Sequence, residues 1–200
     1  GWVDYCDYRY YTDADTGKKT GELQDGEERY LLDAETGQQQ LGLCTFSDHT
    51  VSYYDANGKP VSGWVKDKGK TYHFNSKHLM QTGWQDFGGK RYYFASSGVM
   101  QTGWLYNGGV WYYLYEWGGM ANTSWVQVGN TWYYFRGNGA MMTGWLQQGT
   151  TWYYLKSSGA MATGWNWVGN KCYYFNASGK MAANTTVGGY KVDASGAWVK

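Results

Sequence analysis

Proline occurs once in this 200-residue chain and cysteine only three times. No run of about 18 apolar residues is present, which excludes a membrane-spanning helix. No signal peptide is recognisable; the sequence opens in mid-pattern on Gly1-Trp2, as a mature chain or a fragment of one would. Cys6, Cys44 and Cys172 are odd in number and lack metal-binding spacing. Cys6 and Cys44 can pair if the fold brings them together; the alternative is three unpaired thiols. Histidine is confined to His49, His73 and His78, and no Cys–His or Ser–His spacing suggests a nucleophile. Asp13-Ala-Asp15-Thr-Gly17 resembles the start of a calcium loop, but its twelfth position is Gln24, where a bidentate Glu is needed. Asx turns are the simpler reading of this segment and of "DAETG". The expectation is a chain with no catalytic constellation, no metal and no cofactor, any catalytic domain lying outside these residues.

Strong net charge is also missing, but the balance hides an asymmetry. Residues 1–58 hold twelve acidic and four basic residues, whereas residues 59–200 hold four acidic and thirteen basic. The basic residues are scattered, without the clusters that mark a nucleic-acid surface.

What is abundant is aromatic: 13 Trp and 21 Tyr, with 30 Gly. So many rings argue against disorder. They are also periodic. Gly-Trp recurs at 63–64, 83–84, 103–104, 144–145 and 164–165, with Ser124-Trp125 in the gap. Met80, Met100, Met120, Met141, Met161 and Met181 keep the same step of 20 or 21 residues, as do Tyr-x-Phe/Leu triplets from Tyr72 to Tyr173. Gly21 and Gly42 extend the ladder backwards, and "RYYTDADTG", "RYLLDAETG" and "SYYDANG" are degenerate copies of "RYYFASSG". "GGYKVDASG" is a truncated last copy. The organisation expected is one array of about ten repeats: degenerate acidic repeats over 1–62, well-formed repeats over 63–184, and a capping repeat over 185–200.

Each unit reads as a β-hairpin with a short polar connector. Residues 104–106 and 110–114 are strand formers, and Asn107-Gly108 between them is a type I′ turn signal. A hairpin of this size cannot bury its own faces, so the hairpins must stack. The fold class expected is all-β, a solenoid of hairpins. With a two-residue loop at Asn107-Gly108, Trp104 lies opposite Trp111, Cβ atoms roughly 5 Å apart. The same loop placement pairs Trp125 with Trp132 and Trp145 with Trp152. Alternation sends Tyr112 and Leu114 to the other side. Stacking in order then brings the first Tyr of the next hairpin onto each Trp pair, giving three aromatic walls. Such a box attracts a quaternary ammonium ion through cation–π interaction, because the ion has no N–H to satisfy. The alternative use of the same rings is as the core of the array.

"GNTWYYFRGNGAMMTGW" and "GTTWYYLKSSGAMATGW" closely resemble the choline-binding, or cell-wall-binding, repeats of bacterial surface proteins and cell-wall lytic enzymes. The resemblance is strongest over 63–184. It implies a left-handed superhelix of hairpins with choline between consecutive hairpins, walled by the Gly-Trp tryptophan, the Trp of the Trp-Tyr-Tyr triplet and the next first Tyr. Carried onto this sequence, three boxes are complete: Trp104, Trp111 and Tyr133; Trp125, Trp132 and Tyr153; Trp145, Trp152 and Tyr173. Met120, Met141 and Met161 are the lining methionines expected. Elsewhere Trp64 should face Thr71, Trp84 should face Arg91, and Trp165 should face Cys172, so no box is expected there. None is expected in the N-terminal third, where Trp2 stands alone. Arg91 should repel a cation or fill its box.

The resemblance further implies secretion to a bacterial cell surface, a choline-decorated teichoic acid as partner, and dimerisation through C-terminal repeats as in some family members. Neither nucleic acid nor a membrane span enters this reading. Two rivals remain from the residues alone: a glucan-binding array stacking sugars on Trp and Tyr, and a structural or dimerisation stalk. The polar Thr16, Gln24, Gln38, Gln39 and Gln40 suit the glucan reading in the degenerate third, whereas the Trp–Trp–Tyr boxes suit a quaternary amine.

Overall fold

The computed structural model describes residues 1–199, which fall into two compact units, one over 1–101 and one from 102 onwards. Ten antiparallel sheets follow one another along the described chain. Eight are plain hairpins. The first gains a short third strand, Gly17–Lys18, and the last gains Trp198–Val199. The repeat count and the all-β class expected from the period are both present. Among the described residues no helix is long and apolar enough to cross a membrane.

The hairpin Gly103–Asn107/Val110–Leu114 is typical, and its register differs from the expected one. Trp104 pairs with Tyr113, and Trp111 pairs with Tyr106. The two loop residues are Gly108 and Gly109, with φ of +58° and +80°. A type I′ turn needs positive φ at both central positions, and "NGG" offers two places for it. The chain puts both positions on glycine and leaves Asn107 at the strand end. The two-residue shift preserves parity, so every side chain keeps the face it was expected to occupy; a one-residue slip would have reversed them all. Trp104 and Trp111 therefore share a face as diagonal neighbours, not as a directly opposed pair.

The opposite face builds the core. One residue per hairpin, the last of the second strand's aromatic triplet or its equivalent, is sealed from solvent: Leu32, Tyr54, Phe74, Phe94, Leu114, Phe135, Leu155 and Phe175 are at most 2% exposed. In the second unit, Phe135 packs with Ala121 and Val126 against Tyr113 and Met141.

Within the second unit, connectors join a hairpin to its predecessor. The N–H of Met141 donates to the Trp111 carbonyl at 2.8 Å, that of Met161 to Trp132 at 2.8 Å, and that of Met181 to Trp152 at 2.9 Å. Each Met also bridges its own hairpin, as Leu155 to Met161. The next connector makes room for the Met side chain: a Cβ on Gly159 would lie 2.3 Å from the Met141 sulfur. The "DADTG" and "DAETG" segments are Asx turns, with Asp13 and Asp33 side chains accepting from the N–H groups two and three residues on. Those bonds hold both carboxyls below the usual carboxylate range. All three cysteines are free; burial pushes the Cys44 thiol up to about 11. Trp117, an unusual residue for a connector, stacks on Tyr115 with ring centres 5.6 Å apart and covers Gly119.

Candidate aromatic cages

The Gly-Trp tryptophan sits at the second position of each first strand, on the face away from the core. In the hairpin at 103–114, its ring meets Trp111 at 6.0 Å and 90° and Tyr133 of the next hairpin at 4.7 Å and 77°. Trp104, Trp111, Tyr133 and Met141 line a cavity of about 350 Å³ with Ser158. The hairpin at 144–155 repeats this geometry: Trp145 meets Trp152 at 6.1 Å and 86° and Tyr173 at 4.8 Å and 76°. Its cavity is about 620 Å³, with Met181 on the wall. The lining of both cavities carries no ionised side chain.

The middle set is built from the same positions but is looser. Trp125 meets Tyr153 at 5.1 Å, and Trp132 shares its face through the pairing Gln127–Trp132. The indole N–H of Trp125 donates to the Gln148 side chain at 2.9 Å. Rings at these positions stay wet: Trp104, Trp111, Trp132 and Trp152 are 36–44% exposed, as a cage open to a ligand requires.

Methionine placement differs from expectation by one step. Met141, Met161 and Met181 dock their backbones on the second tryptophans of the three cages. Met120 lies against Gly139 just as Met141 lies against Gly159, and the methionine that lines the Trp104 cavity is Met141. Sequence order places Met120 just after Trp111, but the hydrogen bonds that fix the lining run from the connector one repeat later. Met181 was therefore not among the expected site residues; the cavity lining and the inter-hairpin bonds reveal it.

In several of the other hairpins the rings are already covered by the chain's own side chains. The Arg91 guanidinium lies over Trp84 at 5.1 Å, as its position suggested. Arg9 takes the corresponding place over Trp2 at 4.6 Å, and Arg29 lies over Phe46 at 4.1 Å. All three arginines stand at the second-wall position of their hairpins, paired with Asp86, Asp4 and Gln24. At these three positions the chain supplies its own cation. At Trp64 the space is filled by Phe87, 5.4 Å from Trp64 and stacked on His73 at 3.8 Å.

His73 holds the position where other hairpins carry a Tyr, and its Nδ1 is buried without a hydrogen-bond partner. Burial lowers its pKa below the usual 6.5. The folded state therefore favours the neutral ring. The stability this confers is complete above pH 6.5 and is lost as pH falls through the folded pKa. Thermal melts between pH 7.5 and 5 should show the wild type losing more stability than His73→Tyr; parallel losses would remove His73 from the account.

Choline-binding repeat models match residues 81–125, 122–163 and 166–198, and a cell wall binding repeat model matches 62–77. The fold is similar to choline binding protein F from Streptococcus pneumoniae, with TM-score 0.84 and 36% identity over 96% of this chain and 76% of that one. CbpJ from Streptococcus pneumoniae TIGR4 matches over 100% of both chains at 30% identity and TM-score 0.60. The modular autolysin LytC from Streptococcus pneumoniae, in complex with synthetic peptidoglycan ligand, matches at 28% identity and TM-score 0.71, over 90% of this chain and 42% of that one. Comparison with curated protein sequences gave no match. Period, hairpin geometry and repeat matches agree, and the chain belongs to the choline-binding repeat family.

Proposed function

We propose that this chain is a non-catalytic attachment module that binds the choline groups of a cell-wall teichoic acid in the cages of Trp104, Trp125 and Trp145. The observation that carries the reading is the uncharged ring of Trp, Trp, Tyr and Met, seen most clearly around Trp104 and Trp145. A trimethylammonium group gains the negative faces of the rings there and leaves no N–H unsatisfied. Three rings at about 0.5–2 kcal/mol each, less ordering costs, leave about 4 kcal/mol, or millimolar affinity. One cage is a poor anchor, so the array suits a repetitive polymer on which later contacts are intramolecular. The site belongs to the well-formed repeats; the acidic repeats serve as scaffold, their own arginines capping their rings.

Trp111→Ala tests the wall assignment. It should remove the first cage and lower choline stoichiometry by one without changing the unfolding midpoint. Unchanged stoichiometry would place the first site elsewhere.

A second reading has one observation in its favour. In the first unit, Asp4, Tyr8, Arg9, Gln39, Asn57 and Lys59 line a polar cavity of about 480 Å³. Its mixture of donors and acceptors beside an exposed tyrosine suits a sugar better than a quaternary amine.

A further inference from the structure

The hairpin at 164–175 lacks tryptophan at the second-wall position, where Cys172 stands. The cross-strand pairs explain what replaces it. At this level the other cage hairpins pair Tyr106 with Trp111, Gln127 with Trp132 and Gln147 with Trp152. Here Trp167 pairs with Cys172. The large and small residues have exchanged strands, and both remain on the cage face, because Trp167 is two residues from Trp165.

The other walls follow from the last sheet. Tyr190, which opens the second strand of the shortened hairpin Thr185–Val187/Tyr190–Val192, meets Trp165 at 5.9 Å and 82°. It occupies the place of Tyr133, Tyr153 and Tyr173 in its own unit: Val192 pairs with Trp198 just as Leu155 bridges Met161 and Phe175 bridges Met181. Trp198 thus stands where the other cages have methionine, 6.2 Å from Tyr190 at 80°. Trp165, Trp167, Cys172, Tyr190 and Trp198 line one cavity of about 250 Å³ with no charged side chain in its lining. Trp167 and Tyr190 are 66% and 55% exposed, so the cavity is open to solvent.

From this arrangement we infer a fourth quaternary-ammonium cage, walled by Trp165, Trp167, Tyr190 and Trp198, in a repeat whose sequence lacks the usual second wall. The inference rests on the choline reading of the other three cages. It assigns the exposed Trp167 and the C-terminal Trp198 to ligand contact rather than to capping of the array.

Equilibrium dialysis of the full chain against labelled choline tests it, with bound equivalents counted at the lowest choline concentration that fills the wild type. Trp167→Ala, at an exposed position, should bind one equivalent fewer than the wild type with an unchanged unfolding midpoint. The triple variant Trp111→Ala/Trp132→Ala/Trp152→Ala should keep one equivalent, and adding Trp167→Ala should remove it. An unchanged count in Trp167→Ala, or a triple variant that binds none, would overturn the fourth cage while leaving the other three intact. A wild type that binds no choline would overturn the underlying reading, and the fourth cage with it.

Discussion

The triple variant Trp111→Ala/Trp132→Ala/Trp152→Ala is expected to lose retention on a choline-bearing matrix while remaining folded. These three rings are 44%, 39% and 38% exposed and lie on the face opposite the sealed core, so truncation opens no interior cavity. Each loss removes one cation–π face worth about 0.5–2 kcal/mol, which weakens a single cage between about 2-fold and 30-fold. On a polymer the penalties compound, because each further contact draws on the effective concentration supplied by the one before it. A drop in polymer affinity on the order of a thousandfold follows from moderate losses at three sites. Affinity chromatography measures it, with far-UV circular dichroism and a thermal melt as controls. Retention equal to wild type would show that these tryptophans are scaffold rather than walls.

Phe135→Ala should do the reverse and strike the fold first. Its ring is fully buried, packed with Ala121 and Val126, and lies 5.8 Å from Trp104 and 6.2 Å from Tyr113. Removing such a ring from a site that cannot collapse costs about 3–5 kcal/mol, a large share of the 5–15 kcal/mol typical of a whole domain. Repeats in an array are held by their neighbours, so the loss is expected to spread to the hairpins at 103–114 and 144–155. Urea unfolding should show an earlier midpoint in the second unit, and choline binding at Trp104 should fail with it. A midpoint within error of wild type would mean that the buried ladder does not carry the stability assigned to it. The contrast between the two experiments restates the division of the hairpin: one face for ligand, one for core.

That division was legible in the sequence because parity is robust. Gly-Trp, the Tyr-x-Phe/Leu triplet and Met share one period, and alternation along a strand then assigns Trp111 and Tyr112 to opposite sides whichever two residues form the loop. The loop itself was not legible, since "NGG" satisfies the turn requirement twice and only the backbone angles of Gly108 and Gly109 decide. Methionine lining was displaced by one repeat for a different reason: it depends on a hydrogen bond between a connector and the preceding hairpin, which no local pattern encodes. Arg91 announced itself by occupying a tryptophan position. Phe87 did not, because it enters the Trp64 box from a strand end where other hairpins carry Asn107, Val128, Gln148 or Val168. Trp167 escaped as well. A search for tryptophan at a fixed offset is blind to a cross-strand exchange, although the pair Trp167–Cys172 is plain once the register is known.

The central claim is that the rings recognise a quaternary amine rather than a sugar. It is tested most directly by following tryptophan fluorescence of the full chain while titrating choline, beside a parallel titration with maltodextrin or dextran. The account predicts a saturable change with choline in the millimolar range and none with glucan. A chain silent to tens of millimolar choline but responsive to glucan would contradict it.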